Sequence, residues 1–260
     1  MTPSLVSSRP LPALRHTFGA VWRLTFPGFL AAGRVLRLLA LLAGLGGLTY
    51  AATRHGSPGD FFDWTTKFYL TFLVPVLAFV SGGGAIRDDL KPQVVDYVFT
   101  RPVRKPVFVA FRYLAHMAGL QLNFLLALGM LLGIGALHHT PGLATAVPCL
   151  LLAQVGAVGV FTAAGFLCGA LTTRYLIVGM LYGALVEVGI GNIPTQLNRL
   201  SLLHHVQSLV RPLSTGTLGT SLAQPAFTAA LLCSLAVAMV AVAAVVFGLR
   251  ELAGGKPKEN

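Results

Sequence analysis

A polar and mostly basic segment interrupts the sequence at residues 87–112, which read RDDLKPQVVDYVFTRPVRKPVFVAFR. It holds three of the eight acidic residues and six of the nineteen basic ones. The apolar runs on either side, residues 64–86 and 107–137, are each long enough to cross a bilayer core of about 30 Å, which takes about 20 helical residues. We therefore expect this basic segment to lie at a membrane surface.

The order of residues within the basic segment predicts a short amphipathic helix at residues 89–100. Asp88 and Asp89 suit the positive N-terminal end of a helix, and the apolar residues that follow fall on one side of it. The step Arg101-Pro102 ends the helix, because a residue before proline is pushed out of the helical region. A short rigid helix between two spans is suited to being pushed by a soluble partner.

The composition is that of a membrane protein. The 260 residues are 55% hydrophobic and only 10% charged, with a mean hydropathy of +0.76, whereas an ordinary soluble domain carries about 25% charged residues. The net charge of +11 would suit a nucleic-acid partner, yet the basic residues stand at the ends of apolar runs. That distribution favours topology signals and contact with membrane lipid over nucleic acid.

The apolar pattern predicts an all-α protein, one domain over residues 1–260, with six transmembrane helices. An interfacial helix at residues 12–34 is expected first, because its apolar and basic residues take different faces at helical spacing. The spans are expected at about residues 35–52, 64–86, 107–137, 143–171, 175–190 and 223–249. The glycines at 82–84 permit close approach of a second helix or a local break.

The lysine and arginine distribution predicts the orientation in the membrane. With both termini inside, the inner segments hold fifteen basic residues and the outer segments hold four. The positive-inside rule then places the basic segment in the cytoplasm, in a multi-pass protein of the cell inner (plasma) membrane. The first strongly apolar run begins only near Val35, so we expect no cleavable signal peptide.

The sequence carries no readable catalytic motif. It lacks a Walker A pattern, a G-x-S-x-G elbow and an H-E-x-x-H helix, so we expect no catalytic site and no nucleotide site in this chain. Glu187 is the one acidic residue well within a predicted span, and such a group usually faces a cavity or a partner. It is a candidate for the transport pathway; the alternative is a glutamate that is neutral or snorkels at a helix end.

Histidine and cysteine point to no metal site. The pairs His138-His139 and His204-His205 are adjacent in sequence, and adjacent side chains on a helix point about 100° apart, so one pair does not readily chelate a single ion. Ordinary interfacial histidines are favoured, and the roles of both pairs stay open. The three cysteines lie inside apolar runs without metal or disulfide spacing: Cys149, Cys168 and Cys233.

The run Asp-Tyr-Val-Phe-Thr-Arg-Pro-Val-Arg at residues 96–104 resembles the loop after the second span in ABC-2-type transporter permeases. In that family an acidic residue is followed by a Gly-Thr-Leu-like step, a few apolar residues, and then Arg-Pro with a further basic residue. The branch it looks most like is the permease group of the nitrous-oxide-reductase maturation transporter. The chain departs from the pattern at Gln93-Val94, where Gly-Thr is usual.

The resemblance implies the permease subunit of an ATP-driven transporter, with a direction of export. Two copies would pair as a homodimer, and two separate ATP-binding subunits would supply ATP and Mg²⁺, so no cofactor is expected in this chain. Residues 12–34 would be an elbow helix, 89–100 a coupling helix, and 192–222 would hold external helices. The residues implied in ATPase coupling are Asp88, Asp89, Asp96, Tyr97, Arg101, Pro102 and Arg104.

Two other functions are compatible with the sequence. A membrane scaffold or assembly factor without transport would use the basic segment as a docking site. An ion-coupled secondary transporter would use Glu187, although no repeated pair of interrupted helices is visible in two halves of the chain. The substrate cannot be read from the sequence.

Overall fold

The fold was taken from a computed structural model, which describes residues 14–54, 58–91, 104–189, 201–215 and 223–254. Within these ranges all regular structure is helical and no strand occurs. The helices are α1 Leu14–Phe29, α2 Ala32–Thr53, α3 Pro58–Trp64, α4 Val74–Asp89, α5 Lys105–Leu137, α6 Leu143–Leu171, α7 Tyr175–Tyr182, α8 Leu202–Thr215 and α9 Ala223–Gly254. Two π-helical segments, Thr65–Leu73 and Gly183–Gly189, continue α3 into α4 and extend α7.

Five helical stretches are long and apolar enough to cross a membrane. They are Ala32–Thr53, Gly59–Asp89, Lys105–Leu137, Leu143–Leu171 and Pro225–Leu249. The predicted fifth span corresponds to a shorter apolar helix, Tyr175–Glu187. The predicted all-α membrane class is therefore confirmed, with five helices of spanning length in the part of the chain that the structure describes.

The first boundary differs from the prediction. Helix α1 ends at Phe29, and α2 begins at Ala32 instead of 35. Pro27 lies in the last turn of α1, and Leu30 and Ala31 form the turn between the two helices. The expected helix at 12–34 is thus divided between α1 and the start of α2.

Helix α6 lies at the centre of the bundle. In its most apolar window 72% of the residues are buried, compared with 11% in α2. It packs against α4 at glycine contacts: a Cβ at Gly82 would lie 2.5 Å from the carbonyl oxygen of Thr162, and one at Gly169 would lie 2.7 Å from that of Gly83. The close approach expected of the glycines at 82–84 is confirmed, since the α4 and α6 backbones touch.

The contacts between helices define two ends of the bundle. We call the end where α4 finishes and α5 begins the basic end. There the ring of Phe108 in α5 lies 6.3 Å from that of Phe247 in α9, and the Tyr175 ring covers Gly83. At the opposite end Thr53 Oγ1 lies 3.1 Å from Nδ1 of His138, which joins the last residue of α2 to the turn after α5.

A polar contact crosses the core near the first π-helical segment. Tyr69 is fully buried there, and its hydroxyl lies 2.9 Å from the carbonyl oxygen of Phe124 and 2.7 Å from Oε1 of Gln154. π-helical turns change which face a residue presents. The π-helical segment Thr65–Leu73 directs the Tyr69 side chain to α5 and α6 at once. The second span therefore contacts both helices through hydrogen bonds as well as through apolar packing.

Candidate functional site

The ends of the basic segment are visible, and its middle lies outside the described residues. Helix α4 ends at Asp89 and α5 begins at Lys105. Residues 92–103 are not described, so most of the predicted helix at 89–100 falls there. The same holds for four of the residues implied in coupling: Asp96, Tyr97, Arg101 and Pro102.

Asp88 and Asp89 do not begin a new helix. Both lie in the last turn of α4, so their expected role at a helix N-terminus is wrong. The C-terminal end of a helix carries partial negative charge and disfavours carboxylates, so each aspartate needs a cation. Asp88 is exposed and pairs with Lys91 Nζ at 2.7 Å, whereas Asp89 turns inward.

Asp89 forms a buried ion pair with Arg112 of α5. Arg112 Nε donates to Asp89 Oδ2 at 2.7 Å and Nη2 donates to Oδ1 at 3.1 Å, while the aspartate is only 7% exposed. The remaining Nη1 donates to Thr25 Oγ1 of α1 at 2.5 Å, and Thr25 in turn donates to the carbonyl oxygen of Val21 at 2.8 Å. We call this set the Arg112 clamp.

The clamp joins three helices at one point. Two parallel N–H···O bonds between a guanidinium and a carboxylate fix distance and orientation together, which a lysine could not do. Breaking a buried pair by removing one partner typically costs about 3–5 kcal/mol, because the other charge is left uncompensated. The two ends of the basic segment are therefore held against each other and against α1.

Aromatic side chains hold α1 along the first half of α5. The rings of Phe18 and Phe111 meet edge to face with centroids 5.2 Å apart. Further along, the Phe29 ring covers Gly119, where a Cβ would lie 2.5 Å from the ring, and packs 5.2 Å from His116. Displacement of α5 would therefore carry α1 with it.

Arg104 takes a different position from Asp89. It is the residue before the first turn of α5, and its side chain is exposed. Asp88 is exposed at the same end of the bundle. Of the three described residues implied in coupling, two are accessible to a partner and Asp89 is internal.

Glu187 is buried in the second π-helical segment, with 7% exposure. Its Oε1 accepts from the hydroxyl of Tyr182 at 2.6 Å and from the backbone N–H of Leu202 at 3.1 Å. Its Oε2 accepts from the hydroxyl of Ser201 and from the backbone N–H of Leu203 at 3.0 Å. Four protein donors thus satisfy the carboxylate.

This geometry is that of a cap on helix α8. The first N–H groups of a helix have no partner within it, and the positive end of the helix dipole favours a carboxylate. Ser201 adds a second cap, because its Oγ accepts from the backbone N–H of His204 at 3.1 Å. The sequence identified Glu187 but missed Ser201, whose position directly before an amphipathic run was the available signal.

The histidines that the structure describes do not gather into a metal site. In the described ranges, no three His, Cys, Asp or Glu side chains come together as ligands. His116 is buried, with Nε2 3.0 Å from Ser81 Oγ. His139, in the turn after α5, adopts a left-handed backbone with φ of 51°.

Comparison with protein-family models and with curated proteins returned no match for this chain.

Proposed function

We propose that this chain is the membrane-spanning permease subunit of an ATP-driven ABC-2-type transporter. It exports its substrate across the cell inner membrane as a homodimer, with two ATP-binding subunits docked on the cytoplasmic side. The resemblance at residues 96–104 suggests the class. The Arg112 clamp is the observation that carries the proposal, because it gives the basic segment a mechanical connection to the bundle.

The clamp supplies a route for force. A partner that displaces residues 92–103 pulls on α4 at one end and on α5 at the other. Because Asp89, Arg112 and Thr25 are bonded to each other, the same displacement reaches α1. A docking platform without transport has no need for such a connection, which favours the transporter over the scaffold.

Helix directions support six passes with both termini on one side. Helix α4 ends, and α5 and α7 begin, at the basic end, while the later part of α9 returns there beside Phe108. The stretch Tyr175–Glu187 then makes the fifth pass, although at 1.5 Å per residue it rises only about 20 Å. Helix α8 belongs to the external region between the fifth and sixth passes.

Charge at the two ends supports a cytoplasmic position for the basic end. Arginines at the start of α2, around the clamp and in the turn before α7 belong to this end: Arg34, Arg37, Arg87, Arg104, Arg112 and Arg174. The described residues of the opposite end carry Arg54, Lys67 and Arg211. The positive-inside rule places the richer end inside.

Two outer faces suit the second copy of the chain. Helix α7 has no buried residue, and its apolar side chains are largely exposed, with Met180 at 76% and Ile177 at 62%. Helix α2 exposes Leu36 at 69%. Such faces meet lipid in a monomer and bury against each other in a dimer.

The ion-coupled alternative is less well supported. A carboxylate that binds a transported ion must exchange its partners during the cycle. Glu187 is instead fully occupied by donors from Tyr182, Ser201 and the start of α8. Its geometry fits a structural cap.

The docking half of the proposal is tested with Arg101→Glu and Arg104→Glu together. We expect this variant to insert normally and to lose co-purification of the ATP-binding subunit, recognised by its own Walker A sequence. Arg54→Glu with Lys67→Glu makes the same charge change at the opposite end and should retain it. If both variants co-purify the ATP-binding subunit equally well, Arg101 and Arg104 do not bind it and the proposed coupling role is wrong.

The force half is tested with Asp89→Leu and Arg112→Met together. This variant removes both charges, so it should fold and still bind the ATP-binding subunit. We expect its ATP hydrolysis to become insensitive to the permease and transport to fall at least tenfold. Normal transport in this variant would show that the clamp transmits nothing.

A further inference from the structure

A cavity of about 500 Å³ lies beside the clamp, between α1, α2, α4 and α5. This is within the range of about 300–1,000 Å³ that ligand sites occupy. Its lining changes from charged to apolar along its length. Arg34, Arg37 and Arg112 line it at the basic end, and the remainder is lined mainly by apolar side chains such as Leu77 and Leu120, with Asn123 among them.

The charged end has an excess of positive charge. Arg112 is neutralised by Asp89, and Asp88, the acidic residue in the lining, is neutralised by Lys91. Arg34 and Arg37 form no ion pair with a carboxylate in the described part of the chain. Two positive charges therefore face this end of the cavity.

The contacts that Arg34 and Arg37 make orient both side chains at the cavity and leave hydrogen-bond donors for a ligand. The Arg34 guanidinium carbon lies 5.8 Å from the centre of the Phe29 ring, in a cation–π contact. Arg37 Nε donates to the carbonyl oxygen of Gly33 at 3.1 Å. Each contact orients the side chain and leaves the terminal Nη donors for an anion.

The apolar part has the dimensions of a membrane leaflet or slightly more. Ala127 lines the cavity on the same helix as Arg112, and at 1.5 Å per residue the two positions are about 22 Å apart. Half of a 30 Å hydrocarbon core is about 15 Å. Between these levels, about one turn along α5 from Arg112, His116 Nε2 and Ser81 Oγ are in contact and supply polar groups.

We propose that this cavity binds one anionic phospholipid of the leaflet at the basic end. The phosphate lies on Arg34 and Arg37, the ester groups lie at the level of His116 and Ser81, and an acyl chain follows α4 and α5. The two arginines at one end of the cavity match an anionic head group, and the mainly apolar lining of the rest matches a hydrocarbon tail. The proposal requires a membrane around the bundle and does not depend on an ATP-binding subunit.

The experiment measures lipid bound to the purified full-length protein by native mass spectrometry. Phosphatidylglycerol should bind with a one-to-one stoichiometry, and phosphatidylcholine should bind much less. Arg34→Gln with Arg37→Gln should weaken phosphatidylglycerol binding about thirtyfold, since each basic residue near an anionic head group contributes roughly fivefold. Arg15→Gln with Arg23→Gln removes the same charge from exposed positions of α1 outside the cavity, and should leave binding within twofold.

A second variant addresses the apolar wall. Val80 lines the cavity and is 39% exposed, so Val80→Trp can fill the space without a buried clash. It should also lose the lipid, while both arginines are still present. Inorganic phosphate at millimolar concentration should not compete, because it lacks the tail.

Three results would overturn the proposal. An equal loss of phosphatidylglycerol binding in the Arg34/Arg37 and the Arg15/Arg23 double variants would indicate that the net charge alone attracts the lipid. Equal binding of phosphatidylcholine would show that the head-group charge is not recognised. Competition by inorganic phosphate, with Val80→Trp unaffected, would indicate a soluble anion site.

Discussion

Asp89 and Glu187 are buried to the same 7% exposure at opposite ends of the bundle, yet they are neutralised by different means. Asp89 lies at the C-terminal end of α4 and is matched by the charge of Arg112. Glu187, near the end of the second π-helical segment, faces the N-terminal end of α8 and is matched by neutral donors. The helix dipole explains the difference, since it opposes the first carboxylate and favours the second.

The two arrangements also differ in what they connect. The Arg112 clamp joins residues far apart in sequence, with Thr25 87 positions before Arg112, and holds three helices at one point. The Glu187 cap joins two neighbouring elements of the chain, with Ser201 14 positions away. A mutation at the clamp should therefore act on the whole bundle, whereas one at the cap should act locally.

The largest effect is expected from Arg112→Met. It leaves Asp89 buried without its cation, and the free energy of unfolding should fall by about 3–5 kcal/mol. Asp89→Leu with Arg112→Met should recover most of that loss, because no charge is left behind. Both are measured by unfolding in mixed micelles, and a double variant as unstable as the single would contradict the ion-pair account.

The next largest effect is expected from Glu187→Ala. The N–H groups of Leu202 and Leu203 lose a buried acceptor, and each unsatisfied group costs about 1–3 kcal/mol unless the helix end opens to water. We expect a net loss of about 2 kcal/mol, with faster hydrogen exchange confined to the first turn of α8. Leu185→Ala, an exposed position in the same π-helical segment, serves as the control; exchange that spreads to α4 and α5 would show that the cap is not local.

A smaller effect distinguishes charge from geometry at the cap. Glu187→Gln keeps one acceptor oxygen for neutral donors, so the loss should be about 1 kcal/mol. Asp89→Asn should cost at least twice as much, because Arg112 stays charged. Thermal unfolding of the two variants in one detergent makes the comparison. Equal shifts would mean that both carboxylates are held as charges.

The smallest effect is expected from Thr25→Val. This nearly isosteric change removes one hydrogen bond to Arg112 and leaves the ion pair, so it should cost about 1 kcal/mol or less. It should nevertheless loosen α1 from α5, which a disulfide-trapping experiment between introduced cysteines at positions 18 and 111 can follow. If disulfide trapping is unchanged by Thr25→Val, the aromatic contacts alone hold α1 in place against α5.

Some of this architecture follows from sequence alone. The helix Leu143–Leu171 has the bounds expected of the fourth span, because Gly142 precedes a long and mostly apolar run and the polar turn at 172–174 ends it. The composition predicted the membrane class, and the pattern of long apolar runs predicted that the protein is all-α. The three consecutive glycines at 82–84 indicated close helix approach or a local break, and the contact of α4 with α6 is a close approach to which Gly165 and Gly169 of α6 also contribute.

The two carboxylate sites were only half predictable. Arg112 looks in sequence like one more cation at the end of a span, and its pairing depends on how α4 and α5 cross. Glu187 was conspicuous as a lone acid in an apolar run, but its partners follow a segment whose path the sequence does not reveal. Helices were expected only somewhere within residues 192–222, and the described helix begins at Leu202, so Ser201 was not singled out as its cap.

The glycine contact between α4 and α6 limits how this bundle can deform. Where backbones meet at Gly82 and Gly169, no layer of side chains exists that could shear or change rotamer to allow sliding. The Tyr175 ring, seated on Gly83, adds α7 to the same block. Any rotation within the protomer is therefore expected about an axis outside this block, on the side of α2, the least buried of the five long apolar helices described.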